Sequence, residues 1–139
     1  MSEWVAATYQ GTRYRLRTRL GPLPELPEDM KALGISRNIY TVVRHWADCL
    51  VFPRDKTVIV EGKIRWKPEG LGQLITYRSM FYQTPEYRAR WELPVELVAL
   101  YAYISPENLA LLEQFDIIPM EYRPAWISDA YIARARRTY

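Results

Sequence analysis

Two acidic residues and a lysine stand inside apolar, strand-like runs of this 139-residue sequence. Asp48 interrupts one run, and Glu61 and Lys63 interrupt the next, with Gln73 following ten residues after Lys63. Charged side chains are rarely buried unless they are paired, hydrogen-bonded or bound to a metal. Phosphodiester hydrolysis uses such a set, because carboxylates hold a cation while a lysine orients water and offsets charge on the phosphate.

Alternation along the two runs predicts which of these side chains meet. Glu61 and Lys63 are two apart, so on a strand they project from the same face. A turn near residues 54–55 would pair Asp48 close to Glu61, and the Gly62 carbonyl would be a third oxygen ligand. The same alternation places Asp48 on one face with Arg44 and Trp46, and His45, Ala47, Cys49 and Val51 on the other.

Cysteine and histidine usage limits the kind of metal. The chain has one cysteine and one histidine, which excludes a disulfide framework, a cysteine-based zinc site and a histidine-rich site. A metal held mainly by oxygen atoms is expected to be Mg²⁺ or Mn²⁺. The alternative for Glu61 and Lys63 is a solvated strand face with a surface ion pair, which contributes little to stability.

Arginines recur at alternate positions near the amino terminus. Extended, this segment would put the guanidinium groups of four arginines on one face: Arg13, Arg15, Arg17 and Arg19. Such spacing suits a phosphate backbone. The alternative is a solvated strand face. Arg44 and Arg65 flank the acidic residues on the same strand faces, so either could bind phosphate or simply balance charge. The net charge is +3, with a second basic cluster over residues 134–137.

The remaining pattern predicts a mixed sheet with helices. Residues 4–20 predict two short strands joined near Gln10-Gly11, an added amino-terminal β-hairpin. The other predicted strands are 39–52, 57–66, 95–104 and 117–122, and the predicted helices are 27–33, 71–83, a helix capped by Ser105, and 127–136. The internal proline of the last strand favours a sheet edge. This order indicates an α/β (α+β) domain.

Taken together, Asp48, the Glu61-Gly62-Lys63 triplet and the segment 72–78 resemble the PD-(D/E)xK nuclease superfamily. Many of its members carry a glutamine and then a tyrosine on the helix after the Glu-x-Lys strand. Here Gln73 and Tyr77 are four apart and so lie on one helical face. The resemblance covers about residues 40–124 and implies a restriction-endonuclease-like core.

The resemblance also implies roles for these residues. Asp48, Glu61 and the backbone carbonyl of Gly62 would hold the metal, and Lys63 would position the attacking water. Gln73 would lie at the edge of the site, touching DNA or orienting a ligand. Tyr77 would support Gln73 or contact the substrate.

One part of the sequence departs from the family. Many members begin with a longer helix that carries a further acid, whereas the region before residue 39 is rich in proline. Glu25 and Glu28 are the nearby acidic candidates.

The expected organisation is a single nuclease-like domain over 1–139. It comprises a divergent amino-terminal hairpin and proline-rich segment (1–38), the core (39–124) and a carboxy-terminal basic tail or helix (125–139). No apolar stretch is long enough to span a bilayer and no signal peptide pattern is present. The expected location is cytoplasmic or, for a phage-encoded protein, the infected cell or the virion.

The function that these expectations favour is a Mg²⁺- or Mn²⁺-dependent DNA endonuclease, structure-selective or weakly sequence-specific, acting on DNA and pairing as a homodimer. One alternative is a non-catalytic structural or assembly protein on the same fold, such as a virion head-completion or neck component. Another is a DNA-binding module that does not cleave and that uses the arginines and aromatic stacking.

Overall fold

Five strands form one sheet whose spatial order follows the order of the chain. The computed structural model describes residues 1–23, 28–34 and 45–136, with side chains to residue 134. The strands are β1 (Tyr14–Leu20), β2 (His45–Val51), β3 (Thr57–Arg65), β4 (Val95–Tyr103) and β5 (Ile118–Glu121). The helices are α1 (Ser2–Thr8), α2 (Glu28–Ala32), α3 (Pro68–Phe81), α4 (Pro106–Gln114) and α5 (Ala125–Arg136), with a 3-10 segment at Pro85–Arg90.

The sheet is mixed, as predicted. β1 and β2 pair antiparallel, as do β2 and β3, whereas β3 pairs parallel with β4 and β4 with β5. Parallel neighbours need long crossover connections, and α3 and α4 supply them. The predicted α/β class is therefore confirmed, and the proline-containing β5 lies at an edge of the sheet.

Both faces of the sheet are covered by apolar packing. One face packs against α3 and α4, in a cluster that includes Ile59, Leu97, Leu74, Phe81 and Leu112. The other face packs against α1, in a cluster that includes Val58, Val60, Val98, Trp4 and Val5. Burial on both sides explains why β3 and β4 are nearly continuous apolar runs in the sequence.

The amino-terminal segment differs from its prediction. Residues 4–20 form helix α1 and strand β1, so the predicted added β-hairpin is wrong. α1 buries Trp4 and Val5 against the sheet, and this burial stabilises the helix. The residue pattern of the segment alone does not reveal it. Gly11, with a φ of +72°, makes the turn to β1, which pairs with β2 and so belongs to the main sheet.

Helix α3 follows β3 after two residues and starts three residues earlier than predicted. Pro68 stands at its first turn, where the missing N–H is not needed. A Cβ on Gly70 would lie 2.7 Å from the Trp66 indole, so this glycine allows close packing of the helix on that ring. α4 begins as predicted, with the Ser105 hydroxyl accepting a hydrogen bond from the Asn108 N–H at 3.2 Å.

The predicted hairpin of β2 and β3 is confirmed, with its turn at residues 52–56. Arg90 holds the turn from the side: its Nε donates to the Thr57 hydroxyl at 3.0 Å, and its guanidinium donates to the carbonyls of Pro53 and Lys56. Residues 39–44, which the prediction assigned to the first strand, lie outside the described residues. Within the described ranges, no helix is long and apolar enough to cross a membrane.

Candidate functional site

The site lies where β2 and β3 stop pairing. Their ladder ends at the pair Cys49–Val60, although β3 continues to Arg65 alongside β4. The β3 edge beyond Val60 is therefore open on the β2 side. A cavity of about 440 Å³ meets this edge, and Asp48, Gly62 and Lys63 are among its lining residues.

Asp48 sits at an interruption of the β1–β2 ladder. β1 and β2 pair on either side of Arg17 and Asp48 but not at these two residues, and Arg17 has a left-handed φ of +48°. Ala47 consequently packs in the same apolar cluster as Leu50, while Cys49 lies in the opposite one. The predicted alternation, with Ala47 and Cys49 on one face, is thus wrong, because the side-chain alternation of β2 is interrupted at Asp48 while the pairing register stays the same on both sides.

Asp48 binds the open β3 edge through its side chain. Its Oδ2 accepts a hydrogen bond from the Gly62 N–H at 2.9 Å. In an extended strand the N–H and C=O of one residue point the same way, so the Gly62 carbonyl also points toward β2. A Cβ on Gly62 would lie 2.9 Å from the Met1 Cε, so the space above this residue is narrow.

Glu61 is the most deeply buried charged side chain of the site. The residue is 3% exposed, and its Oε1 lies 3.1 Å from the Lys63 Nζ. The other oxygen, Oε2, is buried without a hydrogen-bond partner among the described residues. Burial, followed by the nearby Asp48 charge, raises the pKa of Glu61 to about 7, and the Lys63 ammonium group opposes that shift.

Helix α3 adds two polar side chains from the same helical face. The Gln73 Oε1 is also buried without a partner within the described part of the chain. Burial, with the charges of Glu61 and Asp48, raises the pKa of Tyr77 to about 12, and a hydrogen bond with Gln73 opposes that shift. Gln73 and Tyr77 thus lie on one face of α3 and contact each other, as their four-residue spacing predicts, and Tyr77 is near enough to the carboxylates for their charges to affect its pKa.

The donors present fit a small, hard cation. Among the described residues no group of three or more His, Cys, Asp or Glu side chains could hold a metal. Mg²⁺ does not need one, because it binds through one or two carboxylates and keeps several waters. Asp48, Glu61, the Gly62 carbonyl and the Gln73 amide offer oxygen ligands, and two of these oxygens are buried with no partner among the residues that the structure describes. The residues therefore fit Mg²⁺ or Mn²⁺.

The four amino-terminal arginines do not share a face. Arg15 pairs with Leu50, which belongs to the apolar cluster under α3, so Arg15 lies on that face of the sheet. Arg19 pairs with Trp46. Because Ala47, next to Trp46, belongs to the cluster under α3, Trp46 and Arg19 lie on the opposite face. The predicted regular alternation of the four arginines is wrong because the ladder is interrupted at Arg17 and Asp48, although Arg15, Arg17 and Arg19 line one groove with Trp46. Individually, the Arg13 guanidinium lies 5.4 Å from the Phe52 ring, and the guanidinium groups of Arg17 and Arg19 lie 5.5 and 4.3 Å from that of Trp46.

Of these arginines, Arg17 alone lines the cavity at Asp48. Arg44 and Glu25 lie outside the described residues. Glu28 forms an exposed ion pair with Lys31 at 3.4 Å and does not line the cavity. Arg65 donates a hydrogen bond to the Tyr131 hydroxyl, beside a second groove.

Sequence reasoning missed the part played by α5. Trp126 and Ile127 of this helix line the cavity together with Asp48 and Lys63. The available signal was the four-residue spacing of Trp126, Ala130 and Arg134, which puts the three on one helical face.

Comparison with solved structures shows the fold. The chain is similar to a repair endonuclease from Pyrococcus abyssi, with a TM-score of 0.53, 14% sequence identity and coverage of 89% of this chain and 46% of that one. It is also similar to EndoMS in complex with double-stranded DNA, with a TM-score of 0.50, 15% identity and coverage of 89% and 43%. The chain thus spans less than half the length of each. No family model and no curated protein matches the sequence.

Proposed function

We propose that this protein is a metal-dependent DNA endonuclease that hydrolyses phosphodiester bonds. The observation that carries the proposal is that, among the described residues, two buried side-chain oxygens have no hydrogen-bond partner: Glu61 Oε2, whose carboxyl group contacts Lys63, and Gln73 Oε1 on α3. Buried polar atoms are normally hydrogen-bonded, and leaving one unsatisfied costs about 1–3 kcal/mol. A bound divalent cation with its waters would relieve that cost. The similarity of the fold to a repair endonuclease and to a DNA-bound protein agrees with the proposal.

Each residue of the site has a role in this hydrolysis. Asp48, Glu61 and the Gly62 carbonyl would hold Mg²⁺ or Mn²⁺, with Gln73 at the edge of the site. When bound, the cation would polarise the scissile phosphate and lower the pKa of water. The Lys63 ammonium group, about one third exposed, would hold the attacking water and offset negative charge on the phosphate.

The negative charges of Glu61 and Asp48 repel each other when no cation is bound. Burial and the Asp48 charge raise the pKa of Glu61 to about 7, so this carboxyl is partly protonated at neutral pH. A cation held by the Glu61 carboxyl group would favour the ionised form of this group. The site is thus built to bind a cation more tightly as pH rises.

Cleavage assays with matched variants test the proposal. Supercoiled, branched and single-stranded DNA are incubated with Mg²⁺, Mn²⁺ or EDTA, using wild type, Glu61→Gln, Lys63→Ala and the control Lys31→Ala, a lysine of α2 that lines neither the cavity nor the groove beside it. We expect metal-dependent cutting that falls by about 100-fold or more in the first two variants and persists in the control. Equal traces of cutting in all four proteins would indicate contamination and contradict the proposal.

The choice among DNA substrates in the same assay tests the finer prediction, which is structure-selective or weakly sequence-specific cutting. Binding without any cutting would favour the DNA-binding module. Neither binding nor cutting, with assembly into large complexes, would favour a structural protein. Two expectations stay predictions: that the protein forms a homodimer, and that it is located in the cytoplasm, the infected cell or the virion.

A further inference from the structure

A second groove, of about 500 Å³, adjoins the cavity at Asp48. It lies between α5 and the end of β3, and it shares Ile64, Trp126 and Ile127 with that cavity. A ligand could therefore run from the open β3 edge into the groove without crossing a covered region.

The groove combines apolar surface with positive charge. Ile64 is 53% exposed and Trp126 is 57% exposed, which is high for large apolar side chains. Arg65, Lys67 and Arg134 also line the groove. A ligand complementary to it has a flat apolar part and negative charge, which describes a nucleotide.

Trp126 and Tyr131 differ in how they are held. The Tyr131 ring packs on Tyr103, with centroids 5.1 Å apart, and its hydroxyl accepts a hydrogen bond from Arg65. In the part of the chain that the structure describes, no other ring stacks on Trp126 and no guanidinium group covers it. More than half of the Trp126 surface is exposed, whereas the neighbouring Ile127 is 8% exposed and so fixes α5 to the rest of the domain.

We propose that this groove binds an unpaired nucleobase of the strand leading to the site, with Trp126 as the stacking platform and Arg65 and Lys67 at the adjoining phosphates. A base inside a duplex is stacked on both faces and cannot enter such a groove. The substrate class is accordingly DNA with single-stranded character: a flap, a branch or a flipped base. This inference deepens the proposed function and rests on it for the identity of the polymer.

A binding cycle tests the inference without requiring cleavage. Fluorescence anisotropy in EDTA measures the affinity of wild type and Trp126→Ala for a labelled oligothymidine strand and for an equally long abasic strand. Phe115→Ala is the matched control, since Phe115 is 45% exposed and lines neither groove nor cavity. Thermal melting verifies that each variant is folded.

We expect wild type and Phe115→Ala to bind the base-containing strand at least about fivefold more tightly than the abasic strand, the lower end of what one base–aromatic stack contributes. Trp126→Ala should bind both strands equally. If Trp126→Ala keeps the full preference for bases, the inference is wrong, even if the protein cleaves DNA. If the preference depends on Trp126 but no cleavage occurs with Mg²⁺ or Mn²⁺, the inference that the groove binds a base is supported and the endonuclease proposal is wrong.

Discussion

Asp48 and Gly62 are joined by a hydrogen bond from the Gly62 N–H to the Asp48 Oδ2, at the point where β2 and β3 separate. A side chain here replaces the backbone partner that the ladder would otherwise supply. One carboxylate oxygen thus stabilises the open edge, and the residue has both a structural and a proposed chemical role.

These two roles of Asp48 can be separated by substitution. Asp48→Asn keeps an oxygen that accepts the Gly62 hydrogen bond but removes the charge, whereas Asp48→Ala removes both. We expect Asp48→Asn to retain its unfolding free energy within about 0.5 kcal/mol, and Asp48→Ala to lose about 1–2 kcal/mol. Both should lower cleavage by about 100-fold or more. Urea unfolding and the cleavage assay measure the two effects, and equal stability losses in both variants would contradict this separation.

The buried carboxyl of Glu61 predicts a pH dependence of stability in the metal-free protein. Its pKa rises from 4.5 to about 7 on folding, so the folded state binds this proton more tightly than the unfolded chain does. The resulting stabilisation is fully present below about pH 4.5 and is lost as pH rises through about 7. We expect melting temperatures in EDTA to fall more steeply between pH 5 and pH 8 for wild type than for Glu61→Gln. Parallel curves would show that Glu61 ionises normally.

Two glycines of α3 predict opposite effects of the same substitution. Gly70→Ala would place a Cβ 2.7 Å from the Trp66 ring, which is 2% exposed and cannot move away, so we expect a loss of about 1–3 kcal/mol. Gly72→Ala meets nothing within 4 Å, and alanine favours the helix by about 0.5–1 kcal/mol. Chemical denaturation of the two variants checks the signs. A gain in stability for Gly70→Ala would show that the helix shifts to make room.

The guanidinium of Arg90 is expected to be important for the β2–β3 turn. Arg90→Met would leave the carbonyls of Pro53 and Lys56 and the Thr57 hydroxyl without this donor, at a cost of about 2 kcal/mol or more. Arg90→Lys should not restore the loss, because an ammonium group lacks the planar fork of donors. Arg88→Met, at an exposed position of the same 3-10 segment, is the control. Denaturant midpoints compare the three, and full stability of Arg90→Lys would contradict the geometric reason.

Much of the fold follows from local pattern. The β2–β3 hairpin, α3, β4, α4 and β5 were all predicted, because strong periodicity, a helix cap and turn residues mark them in the sequence. Residues 4–20 were not predicted correctly. Their helix is stabilised by burial of Trp4 and Val5 against a sheet formed by residues far along the chain, which no local signal reports.

For the candidate site, the sequence predicts contacts within one strand or one helix but not those that depend on the pairing of distant strands. Spacing along β3 and α3 correctly placed Glu61 beside Lys63 and Gln73 beside Tyr77, because these pairs lie within single elements. The interruption of the ladder at Arg17 and Asp48 depends on pairing between two strands about thirty residues apart, so alternation misplaced Ala47 and the arginines. The role of α5 depends on tertiary packing and was missed for the same reason.

The closeness of the site residues along the chain bears on how the protein folds. The hydrogen bond between Asp48 and Gly62 closes a loop of only 14 positions, and the β2–β3 hairpin and α3 follow one another without a long connection. Short loops cost little entropy to close, and such local contacts are typical of early, rapid folding steps. β1 has to cross a longer stretch of chain before it reaches β2. We therefore expect β2, β3 and α3 to fold first as one unit, so that Asp48, Glu61 and Gln73 are already in place when the amino-terminal segment docks.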